Sequence, residues 1–218
     1  MTIFRSTEAN TENFKQGGWS TKELVVAGVL SLGFGIIFIV WDQLYNLARI
    51  GLVALAVILG GLSAEKLPLY HLLMGVWFGA GVFVPYIVRR RGASVLAECI
   101  AAMVEMSVSP RGIFILGNGL VQGLASEAVF AAFGYKRYNW YVLCLAGALP
   151  GLTSFLYERF YSPVYQGIDL KIFIWSVFFR MISGVFLGGL LSKYFADELA
   201  KTGALAQFFI GKKYIKEI

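Results

Sequence analysis

Apolar runs of membrane-spanning length dominate this chain of 218 residues. A helix needs about 20 mostly apolar residues to cross the hydrocarbon core of a bilayer, where its backbone polar groups bond within the helix. Only 15% of the residues are charged, whereas an ordinary soluble domain has about 25%. We therefore predict an all-α, polytopic membrane protein without a soluble module.

Six of the runs are predicted to be transmembrane helices. They cover residues 22–40, 69–88, 93–108, 111–133, 139–160 and 170–194. A further apolar run, residues 50–62, is too short to span a bilayer and is predicted to be a half-helix or an interfacial segment. Residues 22–195 are predicted to form one membrane domain. Residues 1–21 and 196–218 are polar and are predicted to be its N-terminal and C-terminal tails.

Basic residues predict the orientation of the chain. In a six-span arrangement, most of the 19 Lys and Arg residues fall on the side that holds both tails and the triple-arginine loop of Arg89, Arg90 and Arg91. Cytoplasmic loops carry an excess of Lys and Arg. We therefore predict a multi-pass protein of the cell membrane with both termini in the cytoplasm. The net charge of +6 is explained by this topology, so no nucleic-acid partner is predicted.

The sequence offers little for catalysis or metal binding. It contains no GxxxxGK[ST], HExxH or GxSxG motif. Cys99 and Cys144 lie inside apolar runs without a CxxC partner, and His71 is the single histidine. We predict no enzymatic activity, no cofactor and no metal site. Any uphill transport would then draw its energy from a partner or from an ion gradient.

Five polar side chains inside the third and fourth predicted spans are the candidate binding residues: Glu98, Glu105, Asn118, Gln122 and Glu127. A carboxylate facing lipid costs several kcal/mol, so we expect these groups to face the interior of the bundle. Glu98 and Glu105 are seven residues apart and lie within about 20° of each other on a helix. Asn118 and Gln122, four apart, also share a face. The pattern predicts a polar pocket for a cationic or amide-rich small molecule.

Aromatic residues are predicted to complete the pocket, and alternatives remain open. Trp77 and Tyr86 could stack on a ring or face a cation, although a single aromatic residue is often part of the interfacial belt. The acids of the third span could instead pair with Arg180. Glu127 lies five residues after Gln122 and points about 140° away from it, so it could reach the cytoplasmic interface.

Small residues recur every four positions along the first predicted span, at Ala27, Ser31 and Gly35. Such a strip allows another helix to approach closely. The strip could pack within the same chain or bind a second membrane protein.

Four sequence stretches resemble the YkoE family, the S components of energy-coupling factor (ECF) transporters linked to thiamine or its hydroxymethylpyrimidine precursor. These stretches are MGVWFGAGVFVPYIVRRRGASVLAECIAAMVE, GLVQGLASEAVFAAFGY, LTSFLYERF and FFRMISGVFLGGLLSK. The resemblance extends over most of residues 22–202. At this cytoplasmic turn the usual pattern has Lys-Pro-Gly, whereas this chain has Arg90, Arg91 and Gly92.

The resemblance implies six helices with both ends inside and a ligand pocket near the outer face. It also implies that the strip of Ala27, Ser31 and Gly35 binds a transmembrane T component, which carries two ATPase subunits. The matching positions that it implies for the pocket are Trp77, Glu98, Glu105, Gln122 and Glu127.

We therefore predict an S component that binds thiamine. Hydroxymethylpyrimidine is the alternative ligand within this class. Two other classes of membrane protein remain as alternatives. One is a secondary carrier driven by an ion gradient, and the other is a purely structural membrane subunit.

Overall fold

The computed structural model describes residues 18–58, 68–163 and 165–215, and every regular element within these ranges is a helix. This confirms the predicted all-α class. In chain order the elements are α1 (Thr21–Ile58), a 3₁₀ helix (Pro68–Phe78) that leads into α2 (Ala80–Val88), α3 (Ala93–Met106), α4 (Ile113–Ala132), α5 (Trp140–Tyr161), α6 (Leu170–Ser183), a π-helical turn (Gly184–Leu190), α7 (Leu191–Lys201) and α8 (Phe209–Ile215).

The helices form a bundle with two distinct ends. At the basic end, which carries the triple-arginine loop, Arg90 pairs with Glu23 at the start of α1 at 2.9 Å. At the opposite end, called the far end here, Arg111 in the α3–α4 turn pairs with Asp42 of α1 at 3.0 Å. Helix α1, residues 68–88, α3, α4, α5 and residues 170–201 each run between these two ends. Six segments, called passes here, thus run between the two ends, in the same order as the six predicted spans.

The third pass is the shortest of the six. Five of the described helical stretches are long and apolar enough to cross a membrane. Helix α3 has only 14 residues and is about 21 Å long, which is less than the thickness of a typical hydrocarbon core. It packs closely against α1 and α4, so its neighbours, rather than lipid, surround much of its surface.

Helix α1 is much longer than the predicted first span. It has 38 residues and is about 57 Å long, because residues 50–58 continue it instead of forming a separate half-helix. No Pro or Gly interrupts residues 36–50, and Asn46 donates a hydrogen bond to Asp42 one turn earlier, at 3.1 Å. Residues 59–62 of the predicted short segment lie outside the described residues.

A capping box fixes the beginning of α1. The Ser20 backbone N–H donates to the Glu23 carboxylate at 2.9 Å, and the Glu23 N–H donates to the Ser20 hydroxyl at 3.3 Å. This reciprocal pair satisfies two N–H groups that a helix start leaves free. Residues 1–17 of the predicted N-terminal tail lie outside the described residues.

The C-terminal segment differs from the predicted tail, because it is packed against the bundle as far as it is described. Helix α7 continues to Lys201, and Leu205, Phe208 and Ile210 are buried. The Arg89 guanidinium lies 3.8 Å from the centre of the Phe209 ring, a distance typical of a cation–π contact. Residues 216–218 lie outside the described residues.

Glycines bring α5 against the end of α6 and the π-helical turn. A Cβ on Gly147 would lie 2.2 Å from the Gly184 carbonyl oxygen, so only glycine permits this approach. One turn along α5, a Cβ on Gly151 would lie 2.8 Å from the carbonyl carbon of Arg180. This crossing brings the far-end half of α5 beside α6, where Glu158 and Arg180 meet.

Candidate binding cavity

A cavity of about 850 Å³, called the outer chamber here, opens at the far end of the bundle. Small-molecule sites commonly have about 300–1,000 Å³. The chamber has mainly aromatic and charged walls. Its aromatic residues are Tyr45, Tyr70, Trp77, Phe114, Tyr161 and Tyr165. Its charged residues are Asp42, Arg49, Arg111 and Glu158.

A second cavity, the inner cleft, adjoins the floor of the outer chamber and measures about 20 Å³. Both cavities are lined by Met74, Trp77, Arg111 and Glu158. The other polar residues of the cleft are Glu105, Asn118 and Gln122. A space of this size holds about one water molecule or one small substituent of a ligand.

One cluster of polar groups connects the cleft with the chamber. The Trp77 indole N–H donates to Glu105 Oε1 at 3.1 Å. One Arg111 nitrogen donates to Glu105 Oε1 and to Asp42 Oδ1, both at 3.0 Å. With two carboxylates and one guanidinium, this cluster has a net negative charge when its members are ionised. A negative site lined by aromatic rings suits a cationic ligand.

A second cluster lies on the other side of the cleft, around Glu158. One Glu158 oxygen accepts a hydrogen bond from the Asn118 amide at 3.0 Å, and the other pairs with Arg180 at 2.5 Å. Arg180 is fully buried, and its Nε donates to His71 Nδ1 at 3.0 Å. His71 therefore accepts through Nδ1 and carries its ring proton on Nε2. The cluster fixes the Glu158 carboxylate at the cavity wall.

Four of the sequence-predicted binding residues line the inner cleft: Trp77, Glu105, Asn118 and Gln122. The last two lie one helical turn apart on α4, and their shared face is turned toward the cavity, in keeping with the predicted spacing. Their role in binding a ligand is taken up below as a proposal.

Glu98 lies away from the cavity, although it shares a helix face with Glu105. Seven residues separate them, which is about 10.5 Å along the helix axis. Glu98 is fully buried among α2, α3 and α4, where one oxygen accepts from the Gly81 N–H at 2.6 Å. Its other oxygen has no hydrogen-bond partner within the described ranges. Helical periodicity correctly predicted that Glu98 and Glu105 share a face of α3, but it did not predict their different positions along the bundle axis.

Tyr86 and Glu127 lie at the basic end, far from the cavity. The Tyr86 hydroxyl donates to Asp197 at 2.8 Å. Glu127 accepts from the N–H groups of Gly92 and Ser94, at 2.6 and 3.0 Å. These N–H groups belong to the first turn of α3, which a helix leaves without internal partners. The position of Glu127 therefore agrees with the alternative in which this residue reaches the predicted cytoplasmic interface.

The small-residue strip of α1 faces the inside of the bundle. Ala27 and Ser31 are fully buried. A Cβ on Gly35 would lie 2.5 Å from Val104 Cβ of α3. The strip therefore serves helix packing within the chain, and these three residues are not exposed to a partner. The sequence left open whether the strip packs within the chain or binds a second membrane protein, and the contacts seen here are within the chain.

Several residues of the cavity were not selected from the sequence. Glu158 is the most notable, because an acidic residue inside the predicted fifth span gave the same signal that identified Glu98 and Glu105. Asp42 and Arg111 lie at the ends of predicted spans, where charged residues are common. Asp42 and Arg111 come close together because α1 packs against the α3–α4 turn. Local sequence patterns do not predict this tertiary contact.

No metal centre is present in the part of the chain that the structure describes. Within residues 18–58, 68–163 and 165–215, no group of three or more His, Cys, Asp or Glu side chains is arranged to hold a metal ion.

Comparisons with known proteins match this chain to components of membrane transport systems. Residues 22–153 match the protein family described as the permease component of an ABC-type cobalt transport system. A relative from Bacillus subtilis (strain 168), named "Putative HMP/thiamine permease protein YkoE", is 37% identical over 206 residues, which is 91% of this chain and 94% of the relative. HMP denotes hydroxymethylpyrimidine.

A solved structure is also similar, and its title describes a crystal structure of an S component of an ECF transporter. Its TM-score is 0.77 at 35% sequence identity, with 92% of this chain and 95% of that chain covered. The likeness therefore extends over almost the whole membrane domain of both proteins.

Proposed function

Because this chain belongs to the YkoE family of ECF transporter S components, we propose that it binds thiamine, with hydroxymethylpyrimidine as the alternative ligand, in the cavity at the far end. The S component would pass the captured vitamin to a transmembrane T component that carries two ATPase subunits. The name of the Bacillus subtilis relative, an HMP/thiamine permease, supports this ligand class.

The composition of the cavity wall is the observation that carries the proposal. Aromatic rings and carboxylates meet there in one space, with Trp77 and Glu105 in direct contact. Thiamine combines an aminopyrimidine ring with a cationic thiazolium ring. Aromatic side chains can stack on the first and face the second, and carboxylates stabilise the positive charge in surroundings of low dielectric constant.

The two parts of the cavity suggest how the ligand is divided between them. Asn118 and Gln122 in the inner cleft suit the edge of the pyrimidine, because amides pair with donors and acceptors. Trp77 lines both spaces and suits stacking on a ring. The thiazolium ring would occupy the outer chamber, near Asp42 and the ring of Tyr45.

The size of the outer chamber favours thiamine over the smaller precursor. A chamber of about 850 Å³ has room for two linked rings, whereas a single pyrimidine would leave most of it filled with water. The neutral precursor would also gain less from the negative cluster of Asp42, Glu105 and Arg111.

The proposed function requires the far end to face the cell exterior, with both termini in the cytoplasm. A cysteine introduced at Ser162, near the cavity, should then react in intact cells with a membrane-impermeant thiol reagent. A cysteine introduced at Arg137, near the basic end, should react only after the cells are opened. The reverse pattern would contradict the orientation and the direction of uptake.

Isothermal titration calorimetry on the purified protein in detergent tests the ligand. Saturable binding of thiamine that is tighter than that of hydroxymethylpyrimidine is expected. If only the precursor binds, the alternative ligand is correct, and if neither binds, the proposal fails.

Uptake measurements separate the proposed S component from a secondary carrier. Cells that produce the chain together with its T component and ATPase subunits should accumulate labelled thiamine. Uptake that persists without the ATPase subunits and stops when the proton gradient is dissipated would instead support an ion-coupled carrier.

A further inference from the structure

We propose that the Asn118 amide oxygen, oriented by Glu158, is an acceptor at the inner cleft that selects ligands by an amino group. The inference rests on the proposed vitamin-binding function and assigns the part of the ligand that enters the cleft.

The orientation of the Asn118 amide follows from its partner. Asn118 contacts Glu158, whose second oxygen pairs with the fully buried Arg180 at 2.5 Å. A carboxylate paired with an arginine is ionised and can only accept hydrogen bonds. The atom of Asn118 that faces Glu158 must therefore be the NH₂ group, and the amide oxygen must be the atom left over.

That amide oxygen is an unused acceptor. Asn118 Oδ1 is buried and has no hydrogen-bond partner in the described parts of the chain, while Asn118 itself lines the inner cleft. A buried carbonyl oxygen without a partner destabilises the protein relative to one that is hydrogen-bonded. A ligand that brings an N–H donor into the cleft removes this destabilisation, and a ligand that brings another acceptor does not.

The dimensions of the cleft suit a group as small as an amine. About 20 Å³ is enough for one water molecule, and an NH₂ group is of similar size. The exocyclic amine of an aminopyrimidine can therefore enter the cleft while its ring remains in the outer chamber. Gln122, which also lines the cleft, has an NH₂ group that can donate to the adjacent ring nitrogen.

Arg180 acts as a positioning residue, because it holds Glu158, which orients the Asn118 amide. It does not line either cavity, but it holds Glu158 from behind and is itself held by His71 at 3.0 Å. Glu158 in turn fixes the amide of Asn118. The acceptor oxygen of Asn118 is thus already in place before a ligand arrives, which reduces the entropy lost on binding.

Oxythiamine provides the sharpest test, because it replaces the exocyclic amine of thiamine with an oxo group and keeps the thiazolium cation. Its oxygen would meet Asn118 Oδ1 as a second acceptor. Sites that bond a ligand N–H reject analogues that lack it by large factors, because buried groups stay unpaired. We expect the wild-type protein to bind oxythiamine about 10- to 100-fold more weakly than thiamine.

The experiment compares thiamine, hydroxymethylpyrimidine and oxythiamine by calorimetry on wild type, Asn118→Ala and Asn139→Ala. Asn139 is the matched control at the start of α5, where its side chain makes no capping bond. The ratio of the oxythiamine to the thiamine Kd should fall toward one in Asn118→Ala and stay unchanged in Asn139→Ala.

Each outcome has a definite meaning. Equal affinity of the wild type for thiamine and oxythiamine overturns the inference without any variant and leaves the proposed function standing. The same holds if Asn118→Ala weakens both ligands by the same factor. If the wild type binds none of the three compounds, the proposed function fails and the inference fails with it.

Discussion

The indole nitrogen of Trp77 donates a hydrogen bond to the Glu105 carboxylate at 3.1 Å, at the boundary between the inner cleft and the outer chamber. The bond joins residues 68–88 to α3. It also orients the indole, whose ring meets the edge of Tyr45 at a centroid distance of 5.3 Å. An aromatic wall and a carboxyl group are thus fixed side by side before any ligand is bound.

Replacing Glu105 with Gln should weaken thiamine binding by about 10-fold or more, because a charge-assisted contact contributes about 1.5–3 kcal/mol. The neutral precursor should lose much less, since it has no cation to stabilise. Calorimetry with both ligands measures the difference. Glu198→Gln, a change in the ion pair between Glu198 and Lys201 on the surface of α7, is the control and should leave both affinities unchanged. Equal losses for the two ligands would contradict the role assigned to the charge of Glu105.

Replacing Trp77 with Phe should weaken binding by about 3- to 10-fold, because the smaller ring offers less stacking area and no longer holds the Glu105 carboxylate in place. It should also remove most of the quenching of tryptophan fluorescence that a stacked ligand causes. Trp175→Phe, at a half-exposed position of α6, should keep both the affinity and the quenching. Quenching that survives in Trp77→Phe but disappears in Trp175→Phe would place the ligand elsewhere.

Replacing Gly35 with Ala should lower the thermal unfolding temperature. The new methyl group would lie 2.5 Å from Val104 Cβ and 3.0 Å from the Ala101 carbonyl oxygen, and such overpacking costs about 1–3 kcal/mol. Gly33→Ala is the matched control on the same helix, because nothing lies within 4 Å of a Cβ there. The control should be neutral or slightly stabilising, since Ala favours helix over Gly by about 1 kcal/mol. Equal effects would mean that the strip does not pack against α3.

Replacing Arg180 with Met should strongly destabilise the protein, because it leaves Glu158 buried without its counter-ion, at a cost of about 3–5 kcal/mol. The double variant Arg180→Met/Glu158→Leu should recover much of the lost unfolding temperature, yet it should still bind thiamine poorly. Lys201→Met, which breaks an exposed pair with Glu198, should leave the unfolding temperature almost unchanged. A double variant that regains full binding would exclude Glu158 from the site.

The sequence was sufficient for the membrane class, for the order of the six long segments and for four residues of the inner cleft. Apolar runs report burial in lipid directly, and the spacing of Asn118 and Gln122 places both on one face of α4. The length of α1 could not be predicted in the same way. Its residues 41–49 are polar enough to resemble a loop, but nothing among them breaks a helix, so α1 continues past the expected end of the span.

The position of each polar side chain along the bundle axis could not be predicted from the sequence. Glu98, Glu105 and Glu127 all gave the same signal, an acid inside an apolar run. In the fold only Glu105 reaches the cavity, whereas Glu127 caps α3 and Glu98 is packed between helices. These outcomes depend on how α2, α3 and α4 are aligned along the bundle axis, and helical periodicity carries no information about that alignment.

The decisive experiment is a structure of the protein with thiamine bound. We expect the ligand in the far-end cavity, with its amino group in the inner cleft within hydrogen-bond distance of Asn118 Oδ1 and its thiazolium ring in the outer chamber. Thiamine bound at the basic end, or in the apolar groove between Phe34 and Phe195, would contradict it.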